Sequence, residues 1–162
     1  MSEEGITRLA RALGRACERR GVMVVTAESC TGGGVAEAIT RIAGCSAWFD
    51  RAFITYCNEA KVAMLGVREA TLAAHGAVSE AVAREMAAGA LDRSLARVGV
   101  AVTGIAGPGG ATAGKPVGTV WFAWAARGEA VQARLLQLHG NREAIRRQAV
   151  TVALQGLLDL TR

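Results

Sequence analysis

The stretch Val22-Met23-Val24-Val25-Thr26-Ala27-Glu28-Ser29-Cys30-Thr31-Gly32-Gly33-Gly34-Val35-Ala36-Glu37-Ala38-Ile39 decides the fold. Val22 to Val25 is apolar without alternation, the pattern of a strand buried on both faces, so a strand is predicted over 22 to 26. Val35, Ala38 and Ile39 recur at helical spacing, and a helix is predicted from there to about Ala43, ended by Gly44. A hydroxyl and a thiol, Ser29 and Cys30, therefore stand side by side at a strand-to-helix turn. The three glycines let the backbone come close to a ligand, and the first turn of the helix leaves amides without an intrahelical acceptor. Such a turn suits an anion or an oxyanion.

Upstream, Ile6, Leu9, Ala10, Leu13, Ala16 and Cys17 mark an amphipathic helix from Glu3 to Arg20, stopped at Gly21. Downstream, Trp48-Phe49 and Phe53-Ile54-Thr55-Tyr56 supply the aromatic and β-branched residues suited to a strand. Asn58 is read as the cap of a short helix over 59 to 65 that carries Lys61 near its positive end. A second short helix is predicted from Arg68 to His75, and Ser79 caps a longer one reaching about Arg97. Val98 to Val102 is another continuous apolar run, and it too ends in a hydroxyl and glycines, Thr103-Gly104-Ile105-Ala106-Gly107. Two strands over 118 to 126 and 129 to 138 meet at Arg127-Gly128, and Asn141 caps a closing helix.

The order α-β-α-β-α-α-β-β-β-α predicts one α/β domain over residues 1 to 162, a three-layer α/β/α sandwich on a mixed, largely parallel sheet. Ligands bind such sheets at the carboxyl ends of parallel strands. Thr26 to Gly33, Tyr56 to Lys61 and Thr103 to Gly110 are all predicted there.

Composition narrows the classes. Of 162 residues, 51% are hydrophobic, enough for a substantial core and against disorder. No apolar run approaches the roughly 20 residues of a membrane span, and Met1-Ser2-Glu3-Glu4 is unlike a signal peptide, so a cytoplasmic protein is expected. The net charge of +5 is spread along helix faces without interleaved aromatics, which argues against nucleic acid. The four cysteines form no C-x-x-C pair and lie apart from His75 and His139, so reduced thiols are expected, without metal or other cofactor. Trp121, Phe122 and Trp124 on one strand are suited to a core and equally to the interface of a homo-oligomer such as a dimer.

Gly109-Gly110-Ala111-Thr112-Ala113-Gly114-Lys115 matches G-x-x-x-x-G-K, but Pro116 stands where a metal-binding hydroxyl is needed and a strand follows instead of a helix. A P-loop is therefore rejected. A nucleophilic serine needs a base, and no histidine occurs in the three converging segments. Lys61 can serve if burial lowers its pKa. Cys30 is the rival nucleophile, since thiolates at helix amino ends are stabilised. Tyr56, the only tyrosine, is either a core aromatic or a proton-relay hydroxyl beside Lys61. Arg142 and Arg146, one turn apart, can meet a phosphate or carboxylate.

Taken together, Thr26-Ala27-Glu28-Ser29-Cys30-Thr31-Gly32-Gly33, Tyr56-Cys57-Asn58-Glu59-Ala60-Lys61, Gly76-Ala77-Val78-Ser79, Thr103-Gly104-Ile105-Ala106-Gly107-Pro108 and Lys115-Pro116-Val117-Gly118-Thr119 resemble the successive signatures of the CinA carboxy-terminal domain family. The resemblance spans essentially the whole chain. It implies hydrolysis of the carboxamide of nicotinamide mononucleotide to nicotinate mononucleotide and ammonia. It also implies Ser29 as nucleophile and Lys61 as its partner, with Tyr56, Asn58 and Thr103 in the pocket. On that reading Cys30, Thr31, Gly32, Gly33 and Gly104 line the substrate, and Arg142 meets its phosphate. The alternative is a noncatalytic nucleotide-binding or regulatory module built on the same glycine-rich turn.

Overall fold

A computed structural model describes residues 1–162. Helix α1 (Glu3–Arg20) is capped by Ser2 and ends at Gly21 in a left-handed conformation, and its apolar stripe faces the sheet. The elements that follow are β1 (Val24–Glu28), α2 (Gly34–Thr40), β2 (Phe49–Ile54), α3 (Asn58–Leu65), α4 (Glu69–His75) and α5 (Glu80–Asp92). The chain closes with β3 (Val98–Gly104), β4 (Thr119–Ala126), β5 (Gln132–Gln137) and α6 (Arg142–Leu160).

The five strands form one sheet in the order β2-β1-β3-β4-β5. β1 runs parallel to both β2 and β3, whereas β4 is antiparallel to β3 and to β5. Four strands thus share one direction and β4 alone opposes them, as a mixed, largely parallel sheet requires.

Side chains that alternate along the central strands feed two cores. Val24, Val100, Val102, Phe122 and Trp124 point toward α1, α2 and α6. Val25, Ala27, Ala101, Ala123 and Ala125 point toward α5, where Ala83, Ala87 and Ala90 bring the helix close. Phe122 and Trp124 stack at 5.6 Å between ring centroids within the first core. They serve the core, and Trp121 on the opposite face stays half-buried.

Several element ends differ from the prediction. β1 lies at 24 to 28, past its predicted end at Thr26, because Thr26 and Glu28 satisfy each other inside the sheet: Thr26 Oγ1 donates to Glu28 Oε2 at 3.1 Å. α2 stops at Thr40 and α5 at Asp92, both short of expectation. Asn58 is the first residue of α3 and is exposed; Cys57 holds the cap position without a side-chain bond. The 109 to 115 segment is no phosphate loop: Thr112 and Lys115 exchange backbone hydrogen bonds at 3.0 Å, and Lys115 Nζ donates to the His75 carbonyl. No helix is long and apolar enough to cross a membrane.

Candidate active site

The register sets Glu28 of β1 between Ile54 of β2 and Val102 of β3, so the three predicted segments leave the sheet side by side. The turn begins at Ser29, whose amide donates to the Val102 carbonyl and whose carbonyl accepts from Gly32, both at 3.0 Å. Gly32 and Gly33 have φ of +57° and +95°, a region that other residues enter only with strain. They reverse the chain within a few residues and start α2.

Lys61 crosses to this turn from the first part of α3. Its Nζ lies 3.0 Å from Ser29 Oγ and donates to the Thr55 carbonyl at 2.8 Å and the Tyr56 carbonyl at 3.4 Å. Lys61 is only 1% exposed and no carboxylate pairs with it; Ser29 is 8% exposed. Burial lowers the lysine pKa from its ordinary 10.5. A lysine so held can shed its proton and accept one from the serine hydroxyl.

Cys30 is a poor rival. Burial raises its pKa to about 11 despite its own amide and the cations Arg146 and Lys61, so at neutral pH it is a thiol. Its side chain lies in the core beneath the sheet edge.

The expected hydroxyl relay from Tyr56 is not what the geometry shows. Only the Tyr56 carbonyl faces Lys61, while its hydroxyl accepts from Arg142 at 2.9 Å, and the ring is 61% exposed. The ring swings outward because Thr55 before it turns inward and is fully buried. Arg142 also donates to the Gly107 carbonyl at 2.8 Å, so it joins the β2 exit to the loop after β3.

The remaining expected residues divide. Gly32 and Gly33 reach the surface, but Thr31 is fully buried and its hydroxyl has no partner within the chain. Thr103 is likewise buried and donates to the Ala77 carbonyl at 2.8 Å, tying β3 to the segment before α5. It is a strut behind the site. Gly104 pairs with Val120, and a Cβ there would lie 2.7 Å from the valine side chain, so its glycine serves strand packing.

Two further side chains hold the turn, one of them Arg146, expected to meet a phosphate or carboxylate. Arg146 donates to the carbonyls of Cys30 and Thr31 at 3.1 and 3.0 Å. Glu28, completely buried, accepts from the amides of Val35 and Ala36, both at 2.9 Å. The helix start that reads as a cradle for a ligand anion is therefore occupied by the protein's own carboxylate. A glutamate closing an apolar strand directly before a glycine-rich turn is the sequence signal that reveals it.

Chemistry, not cavity size, locates the site. A cavity of about 500 Å³ between β5 and the end of α6, lined by Trp124, Arg134 and Gly156 among others, shares no residue with the Ser29 turn. No three His, Cys, Asp or Glu side chains converge in a way that would hold a metal ion.

The same fold recurs in known proteins. The family model described as CinA C-terminal domain matches residues 6–161. The chain belongs to the CinA C-terminal domain family. It is 56% identical over 158 residues to the nicotinamide-nucleotide amidohydrolase PncC of Escherichia coli K12, a match covering 97% of this chain and 95% of that protein. The protein of the same name from Pseudomonas putida is 52% identical over 155 residues, with 96% of each chain covered. Among solved structures, the competence/damage inducible protein CihA of Agrobacterium tumefaciens superposes with a TM-score of 0.95 at 49% identity, covering 100% of this chain and 98% of that one.

Proposed function

We propose that this CinA-family chain is an amidohydrolase that converts the carboxamide of nicotinamide mononucleotide to the carboxylate with release of ammonia, through an acyl-enzyme on Ser29. The observation that carries the reading is the 3.0 Å contact between Ser29 Oγ and a buried lysine whose pKa is lowered. The names of the relatives supply the substrate class.

Neutral Lys61 takes the hydroxyl proton as Ser29 Oγ attacks the carboxamide carbon. The amides of Cys30, Thr31 and Gly33 make no backbone hydrogen bond, and this turn is the source of donors for the oxyanion. When the intermediate collapses, the lysine ammonium gives its proton to the departing nitrogen, leaving ammonia and an ester on Ser29. Water then attacks the ester with Lys61 again as base, and the carboxylate leaves with Ser29 restored. Arg142, held with Tyr56 at the exposed rim, meets the nucleotide phosphate.

A noncatalytic nucleotide-binding module would draw on the helix start as a phosphate cradle, and Glu28 already fills two of its amides. The decisive assay is ammonia release from nicotinamide mononucleotide by wild type, Ser29→Ala and Cys30→Ala. Activity in wild type and Cys30→Ala but not in Ser29→Ala supports the serine mechanism. Activity retained by Ser29→Ala and lost by Cys30→Ala transfers the role to the thiol. No turnover by wild type over hours, with nucleotide binding in calorimetry, would sink the amidase reading.

A further inference from the structure

Glu28 is the one carboxylate buried completely in the sheet, and none of its partners is a cation. Oε1 accepts from Val35 N, and Oε2 accepts from Ala36 N and Thr26 Oγ1. The side chain is held by neutral donors alone: two amides of the first turn of α2 and a hydroxyl two residues earlier on its own strand. Removing such a group from water is costly unless its lone pairs are used, and these are.

The connectivity matters more than the charge. The Glu28 side chain reaches forward to amides seven and eight positions later, which closes the turn of residues 29 to 33 like a clasp. Its backbone carbonyl meanwhile accepts from Thr55 N at 2.8 Å, and Thr55 in turn supplies the carbonyl that holds Lys61 Nζ at 2.8 Å. One residue therefore ties together the strand that presents Ser29, the helix that follows it, and the β2 exit that orients Lys61.

We propose that Glu28 is the positioning residue of the nucleophile turn, its carboxylate fixing Ser29 Oγ at bonding distance from Lys61 Nζ through Val35, Ala36 and Thr26. This rests on the Ser29–Lys61 reading above. Glu28 touches no substrate, and its effect is on the geometry of attack. Glutamine has the same shape, but its NH2 must face one of the three donors, so one bond becomes a clash of donors.

The test compares wild type, Glu28→Gln, Thr26→Val and Thr26→Ser. Two readouts are used: steady-state ammonia release, and the rate at which a sulfonyl fluoride modifies Ser29, followed by intact mass. Misplacing a reacting atom by about 1 Å costs roughly a hundredfold. Glu28→Gln is therefore expected to lower kcat and the labelling rate by about ten- to a hundredfold per folded molecule, with KM within about threefold. Thr26→Val, which removes one bond without changing volume, is expected to cost about fivefold, and Thr26→Ser to restore the rate.

A residue that only stabilised the fold would lower the melting temperature and leave both rates per folded molecule at wild-type values, and that result overturns the proposal. If Glu28→Gln does not fold, Thr26→Val decides, and a wild-type rate there overturns the proposal as well. Wild type that labels at Ser29 but releases no ammonia refutes the amidase reading while the labelling series still tests Glu28. Wild type that does neither removes the activated serine, and the Glu28 proposal falls with it.

Discussion

Lys61 Nζ sits 3.0 Å from Ser29 Oγ across 32 positions of sequence, brought there by β2 lying beside β1 and by α3 folding back over the end of both. Neither side chain is remarkable alone. On the proposed mechanism, their contact in a buried site makes a turn hydroxyl the nucleophile and a helix lysine its base.

If Lys61 is the base, as proposed, it must act as the neutral amine, and burial lowers its pKa from 10.5. As pH falls through that lowered value Lys61 gains a proton, and kcat should drop about tenfold per pH unit below it. The acid limb of the kcat profile is therefore expected to have its midpoint below 10.5. Lys61→Arg, which cannot deprotonate, should be inactive at every pH. A lowered lysine pKa means that the unfolded chain binds more protons between the folded value and 10.5, so this group's contribution to stability rises with pH across that window.

Cysteine alkylation at about pH 8 should follow exposure and thiol acidity. Cys57 is exposed, whereas Cys17 and Cys30 are buried with pKa values raised to about 11. Roughly one molecule in a thousand carries the Cys30 thiolate at that pH. Peptide mapping after iodoacetamide should find Cys57 modified first and Cys30 among the last. Early modification of Cys30 would return the thiol to contention.

Arg142 links Tyr56 Oη to the Gly107 carbonyl at the rim of the site. If it meets the substrate phosphate, Arg142→Ala should raise KM for the mononucleotide by about ten- to a hundredfold and leave KM for the riboside within about threefold. Equal effects on both substrates would assign Arg142 to the carboxamide end or to the loop instead.

Gly89 lets α5 approach α3, because a Cβ at that position would overlap the Leu65 carbonyl at the end of α3. Gly89→Ala should cost about 1–3 kcal/mol in chemical denaturation. Since α3 carries Lys61, kcat per folded molecule should fall as well. A stable variant with wild-type kcat would show that α3 can shift without moving its lysine.

Much of the molecule is legible in one dimension. The unbroken apolar runs at 22 to 25 and 98 to 102 announce central parallel strands, and Ser79 and Asn141 cap helices with their own side chains, as expected. Asn58 misleads, since an exposed asparagine at a helix start looks like a cap whether or not its side chain turns back. Thr26 misleads in the other direction: a polar residue normally ends a buried strand, and only the bond to Glu28 lets β1 continue.

The sequence by itself determined the order of elements, the layers and the turn that holds Ser29, because periodicity, glycine positions and capping residues act over short distances. Only the tertiary structure decided what each polar side chain does there. It turned the Tyr56 hydroxyl outward to Arg142 and buried Thr31 and Thr103. It spent the helix amides of Val35 and Ala36 on Glu28, and it buried Lys61 with Ser29 as its neighbour. Burial and hydrogen-bond partners depend on residues tens to more than a hundred positions apart, and both pKa and reactivity follow from them.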